Sequence, residues 1–120
     1  MSDQSERDWR LYLKDMVRFG DKVMQYAQGI DQRSFAVNDI VYDAILRNLE
    51  LIGEAASHVP PAARELHPAV AWRQIVATRN RLIHGYLGLD DELLWSIVQD
   101  DIPPMLTQLR AALEETDPIS

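Results

Sequence analysis

Apolar residues recur at three- and four-residue steps in four stretches of this 120-residue chain, and nowhere alternate convincingly at the two-residue step of a strand. In the first stretch Trp9, Tyr12, Leu13, Met16, Phe19, Val23 and Tyr26 or Ala27 share one side of a predicted helix reaching about Gln28. Ser5 is placed to cap it, with Asp8 three residues on in a capping-box-like arrangement, and Gly29 ends it. The segment DQRSF reads as a connector, after which Asn38 or Asp39 caps a second helix running to Ser57. Its apolar face is Val41, Ala44, Ile45, Asn48, Leu49, Ile52 and Ala56, while Asp43, Arg47, Glu50 and Glu54 cluster opposite. Asn48 is a polar intruder in that stripe, the usual position of an amide satisfied within the core. Pro60-Pro61 starts a short helical turn, PAAREL, and Pro68 stops it. A third main helix spans Trp72 to Tyr86, and Leu87-Gly88-Leu89 breaks it. Asp90 caps the last helix, in which Pro103-Pro104 predicts a kink or restart near residues 100–102. The expected fold is all-α, an up-and-down bundle of four main helices plus a short one. Residues 1–120 are expected to form one domain, with a loose tail over about 116–120.

The third helix carries an anomaly. On a wheel of about 100° per residue, Trp72, Ile75, Val76, Leu82, Ile83 and Tyr86 fall within roughly 60° of Arg79. A guanidinium therefore sits at the centre of a core-facing stripe. It cannot lose its charge, and burying it unpaired costs several kcal/mol. It must find a carboxylate, line a polar cleft or face a partner. Asp101, on the inner stripe of the last helix, is one candidate mate. Asn80 and His84, four residues apart, stack on one flank, and Arg81 points about 160° away from Arg79 as a solvated residue or outer phosphate contact.

Composition narrows the chemistry. The chain has no cysteine, which excludes disulfides, thiolate metal sites and a cysteine nucleophile. Its beginning, MSDQSERDW, is polar and acidic, unlike a signal peptide, and no apolar run approaches the ~20 residues of a membrane span, so a cytoplasmic protein is expected. The formal charge of −7 argues against a general nucleic-acid binder. That charge is uneven, however: residues 58–88 hold Arg64, Arg73, Arg79 and Arg81 against Glu65 alone. The basic segment carries the anomalous arginine, which fits a local phosphate site better than a long electrostatic track. His58 follows a helix end and His67 precedes a proline, and both are expected to be exposed. No histidine spacing suggests a metal site, which leaves His84 as the histidine with chemical neighbours.

Arg79-Asn80, three residues, His84, one residue, Tyr86 resembles the signature of the HEPN superfamily, in particular the HepT-like toxins encoded beside small nucleotidyltransferase antitoxins. The stretch from Asp43 to Ala56, DAILRNLELIGEAA, resembles the preceding core helix of the same subfamily, and the two occur in the expected order. The resemblance implies a metal-independent endoribonuclease without cofactor, and a homodimer whose two motifs face each other across a two-fold cleft. It also implies a nucleotidyltransferase partner of the minimal (MNT) type that attaches AMP to Tyr86.

The residues suit that reaction. RNA carries its own nucleophile, the 2′-hydroxyl, so the protein need only move protons and stabilise charge. His84 can act as general acid or base, Arg79 can grip the scissile phosphate, Asn80 can bond phosphate or imidazole, and Arg81 can add an outer RNA contact. One imidazole is fewer than the two proton carriers such a reaction prefers, which points toward a dimer. Two other readings fit the same residues. In one the chain is a non-catalytic helical adaptor or nucleotide-binding partner of the transferase. In the other Arg79 and Asp101 form an internal salt bridge and the bundle only mediates assembly.

Overall fold

The computed structural model describes residues 3–84 and 91–115. Helix α1 (Asp3–Ala27) is followed by a short α2 (Gln32–Val37), α3 (Asp39–Ser57), a short α4 (Pro61–Leu66) and α5 (Trp72–His84). Then come α6 (Asp91–Ser96), a π-helical segment (Ile97–Asp101) and α7 (Ile102–Glu115), and no strand occurs among the described residues. The all-α bundle expected from the periodicity is the architecture observed.

Local chemistry sets the boundaries. Ser5 lies inside α1 and does not cap it. The α1 chain stops where Gly29 takes a left-handed φ of 79°. DQRSF, expected to be a plain connector, forms most of α2, because the Asp31 side chain accepts from Ser34 N–H at 2.8 Å and caps a turn. That turn buries Phe35 between Tyr42 and Trp95, with ring centroids 5.0 and 5.2 Å away. Asn38 caps α3 through Val41 N–H at 3.1 Å. The far end of α3 has no glycine. Arg64 supplies its cap instead, donating from Nε to Val59 O and from Nη2 to Ala56 O, both at 2.9 Å.

Pro103-Pro104 breaks the last helix as expected, and the break takes the form of a π segment. Prolines in a straight α-helix would press on the carbonyls four residues back. Widening the preceding turn, so that Ile102 N–H reaches Ile97 O, places both prolines in the first turn of α7, where their missing N–H groups are not needed.

The core is continuous from Leu13, Met16 and Val23 of α1 through Ile45 and Ile52 of α3 to Leu94, Val98 and Leu109. Helix α1 packs on both α3 and α7, and α5 packs chiefly on α3. Asn48 is buried and donates back to Ala44 O at 2.8 Å, a structural amide. His67 is buried, contrary to expectation. Its ring tilts against Trp9, its Nδ1 lies 3.3 Å from a Glu115 carboxylate oxygen, and its carbonyl accepts from Trp72 Nε1. The neighbouring proline ends α4 but does not bring the ring to the surface.

Candidate active site

Helix α5 meets α3 unusually closely at one point. A Cβ at Gly53 would overlap Arg79 Cβ and come within 2.5 Å of its Cγ, so the stem of Arg79 occupies the space a side chain at position 53 would fill. The arginine thus leaves the interior along α3, and the next residue on that helix meets it. Glu54 Oε2 accepts from Arg79 Nη2, and Arg79 Nη1 donates to Asn80 Oδ1 at 2.9 Å. Nε is buried and has no hydrogen-bond partner among the described residues. A guanidinium has five N–H donors. One is therefore buried, two are engaged, and one remains on each terminal nitrogen, the pair that can grip a phosphate bidentately.

This arrangement corrects the expectation of an Arg79–Asp101 pair. Asp101 lies across a cavity of about 180 Å³ between α5 and the π segment, lined also by Ile75, Thr78, Ile97, Ile102 and Met105. Burial, and next the charge of Asp100, push the Asp101 carboxyl above its ordinary range. Glu54 lies on what sequence periodicity marks as the polar side of α3, yet Gly53 beside it lets α5 approach near enough for contact.

A second imidazole joins the cluster. His58 Nε2 lies 3.3 Å from Glu54 Oε1, and its ring stacks on Tyr12 of α1 at 5.1 Å between centroids and 21° between planes. Glu54 is held below the usual carboxylate range, first by the hydrogen bond from His58 and next by the charge of Arg79. His58 is exposed as expected, but it is not without chemical neighbours. Glu54 and His58 are the site residues that sequence reasoning missed, and their i, i+4 spacing after a glycine was the available signal.

Of the other predicted residues, Asn80 and His84 are exposed on the flank of α5 where their spacing puts them. His84 follows Arg79 by about 7.5 Å along the axis. Arg81 is exposed on another flank, beside a depression bordered by Leu93, Ser96 and Asp101. Trp72 and Leu82 of the predicted stripe are buried, Ile75 and Val76 are half-buried, and Ile83 is 40% exposed beside His84. Tyr86 lies outside the described residues. No helix among the described residues is long and apolar enough to cross a membrane.

A helical bundle that holds an arginine in a polar cluster, with Asn80 bonded to it and a histidine farther along the same helix, is equipped to bind and act on a phosphate group. The family model described as Ribonuclease HepT-like matches residues 16–112. The chain is 39% identical over 99 residues to "Putative RNase MJ1380" of Methanocaldococcus jannaschii, covering 82% of this chain and 91% of that protein. It is 33% identical over 100 residues to "Probable ribonuclease HepT" of Thermococcus cleftensis, covering 83% and 91%. It is 30% identical over 106 residues to "Putative RNase TTE0752" of Caldanaerobacter subterraneus subsp. tengcongensis, covering 88% and 95%. No solved structure matches the chain significantly. The chain belongs to the HepT-like ribonuclease family, of the HEPN type.

Proposed function

We propose that this protein is a metal-independent endoribonuclease, acting in the cytoplasm as the toxin of a toxin–antitoxin pair. The observation that carries the reading is Arg79, anchored by Glu54 and Asn80 with one N–H donor left on each terminal nitrogen, on the helix that also presents His84. Arg79 holds the scissile phosphate and the charge that builds on it, Asn80 keeps the fork in plane, and His84 moves a proton. Arg81 adds an outer contact to the RNA backbone. Two copies of the chain face each other across this site. The 40% exposed Ile83 next to His84 supports such a contact, and an obligate symmetric dimer would bury upward of ~2,000 Å². A partner nucleotidyltransferase of the minimal (MNT) type attaches AMP to Tyr86, placing a negative phosphate near Arg79 and a purine where RNA would lie.

The test is cleavage of single-stranded RNA in the presence of a chelator. Cleavage should leave 2′,3′-cyclic phosphate or 3′-phosphate ends and be abolished by His84→Ala, with the fold unchanged by circular dichroism. A need for added divalent metal, or activity that survives His84→Ala, would refute the mechanism. After incubation with the partner transferase and ATP, mass spectrometry should find adenylate on Tyr86, and Tyr86→Phe should keep cleaving while resisting silencing. Light scattering at micromolar concentration should show a dimer.

A further inference from the structure

Cleavage through the 2′-hydroxyl needs a base for that hydroxyl and an acid for the departing 5′-oxygen, and His84 alone is one proton carrier. We propose that His58, oriented by Glu54, is the second proton-transfer group of the same site. The inference rests on the ribonuclease reading above.

Three features of the cluster carry it. First, the Glu54 carboxylate is shared: Oε2 accepts from Arg79 and Oε1 faces His58 Nε2 at 3.3 Å. The imidazole therefore stands within about 8 Å of the guanidinium, two hydrogen-bond lengths and the width of a carboxylate. A phosphate gripped by Arg79 with its ribose attached spans such a distance. Second, an ionised carboxylate can only accept. Its contact with Nε2 puts the ring proton there and leaves the lone pair on Nδ1, the form a general base requires. Third, the ring is held in orientation. Stacking on Tyr12 fixes its plane, while the side chain as a whole stays 51% exposed and open to substrate. Glu54 thus positions two groups at once, the phosphate grip and the base.

The step balances without any further reactant. Nδ1 of His58 takes the 2′-hydroxyl proton as the 2′-oxygen bonds to phosphorus. The bond from phosphorus to the 5′-oxygen breaks, and that oxygen receives a proton from protonated His84. The products are a 2′,3′-cyclic phosphate and a free 5′-hydroxyl, and both imidazoles return to their starting states through water.

The experiment measures steady-state cleavage of a defined single-stranded RNA by the full chain, wild type against His58→Gln, His58→Ala and Glu54→Gln. Glutamine at 58 can still donate to Glu54, so Arg79 stays anchored while proton transfer is lost. His58→Gln is expected to lower kcat about 10²-fold, the low end of general acid–base contributions, with KM changed by less than about threefold. Added imidazole should restore part of the His58→Ala rate and none of a His84-independent background. Glu54→Gln should lower kcat and raise KM together, because it loosens both groups. If His58→Gln cleaves at the wild-type rate, or if imidazole leaves His58→Ala unchanged while wild type is active, the proposal is overturned. The second proton carrier would then come from elsewhere, such as the partner copy's motif. An inactive wild type would instead refute the ribonuclease reading itself.

Discussion

Two seams of this bundle use the same device for different ends. Where α1 meets α7, Gly20 admits the Leu106 side chain, whose Cδ2 would stand 2.7 Å from an added Cβ, and Asp21 pairs with Arg110 one residue on. Where α3 meets α5, Gly53 admits the stem of Arg79, and Glu54 pairs with that same arginine one residue on. In each case a glycine permits close approach and the following acid binds an arginine of the facing helix. The first arginine, though, is outside the contact, about half exposed, and the apolar side chain fills the gap. The second arginine is itself the filler, with a side chain 25% exposed and Nε sealed in. One seam gains packing from its glycine, and the other uses its glycine to carry a permanent charge from the core to a place where substrate can meet it.

The sharpest way to break this comparison is to add one methyl group to each seam. Gly53→Ala drives a Cβ into the Arg79 stem, next to backbone that cannot swing away, so α3 and α5 must separate. Overpacking of this kind costs about 1–3 kcal/mol, exceeds the ~1 kcal/mol that alanine gains in helix propensity, and should lower Tm by several degrees. Displacing Arg79 should also remove most RNA cleavage. Gly20→Ala meets only the flexible ends of Leu106 and Met105, and the propensity gain offsets their shift, so stability should stay within about 1 kcal/mol of wild type with cleavage unchanged. Thermal melts and cleavage rates measured on the pair decide it. Equal damage from both methyls would mean that the two seams do the same work.

Truncating the two arginines separates them by activity. Arg79→Ala should cut the cleavage rate by about 10²–10³, the usual loss of a preorganised charge donor. Arg110→Ala removes an exposed pair worth about 0–1 kcal/mol and should leave cleavage as it was. A comparable loss from both, at matched folded fractions, would show that Arg79 acts through stability and not at the phosphate.

The comparison also marks where sequence stops being informative. Helix positions, the glycine stop after α1, the Asn38 cap and the disruption before Pro103 are local, and local rules reach them. The Arg79 anomaly was legible as a problem, a charge on an apolar stripe, but its solution was not. Periodicity placed Glu54 on the outer face of α3 and Asp101 on the inner face of the last helix, so Asp101 looked the better mate. What decides between them is interhelical distance, set by a missing Cβ at Gly53 and by a π segment that carries Asp101 to the far side of a cavity. His58 escaped for the same reason, since its stack on Tyr12 joins residues 46 apart in sequence. His67 was misread because a proline after it says where α4 ends and nothing about which way the ring points.

The smallest effect is also the one whose sign tests that choice of mate. Asp101 is raised above its ordinary range by burial and by Asp100, so the folded chain binds its proton more tightly than the unfolded chain does. For such a group the stability penalty is absent below the unfolded pKa, grows as pH rises through the folded one, and is complete at neutral pH. Asp101→Asn removes the penalty. It should raise Tm at pH 7 by on the order of a degree, and the gain should shrink to nothing as pH falls toward about 3.9, where aspartate is half protonated even when unfolded. Cleavage should not change. Were Asp101 the counter-ion of Arg79, the same substitution would lower Tm at neutral pH and damage cleavage, because it would strand a guanidinium in the seam. Melts of Asp101→Asn across the acid range, set beside those of Glu54→Gln, distinguish the two carboxylates by direction as well as by size. Glu54 is held low by His58 and Arg79, so its contribution is present at neutral pH and is lost as pH falls. Neutralising Glu54 should therefore be unfavourable at pH 7, where neutralising Asp101 is favourable, with both differences closing at low pH.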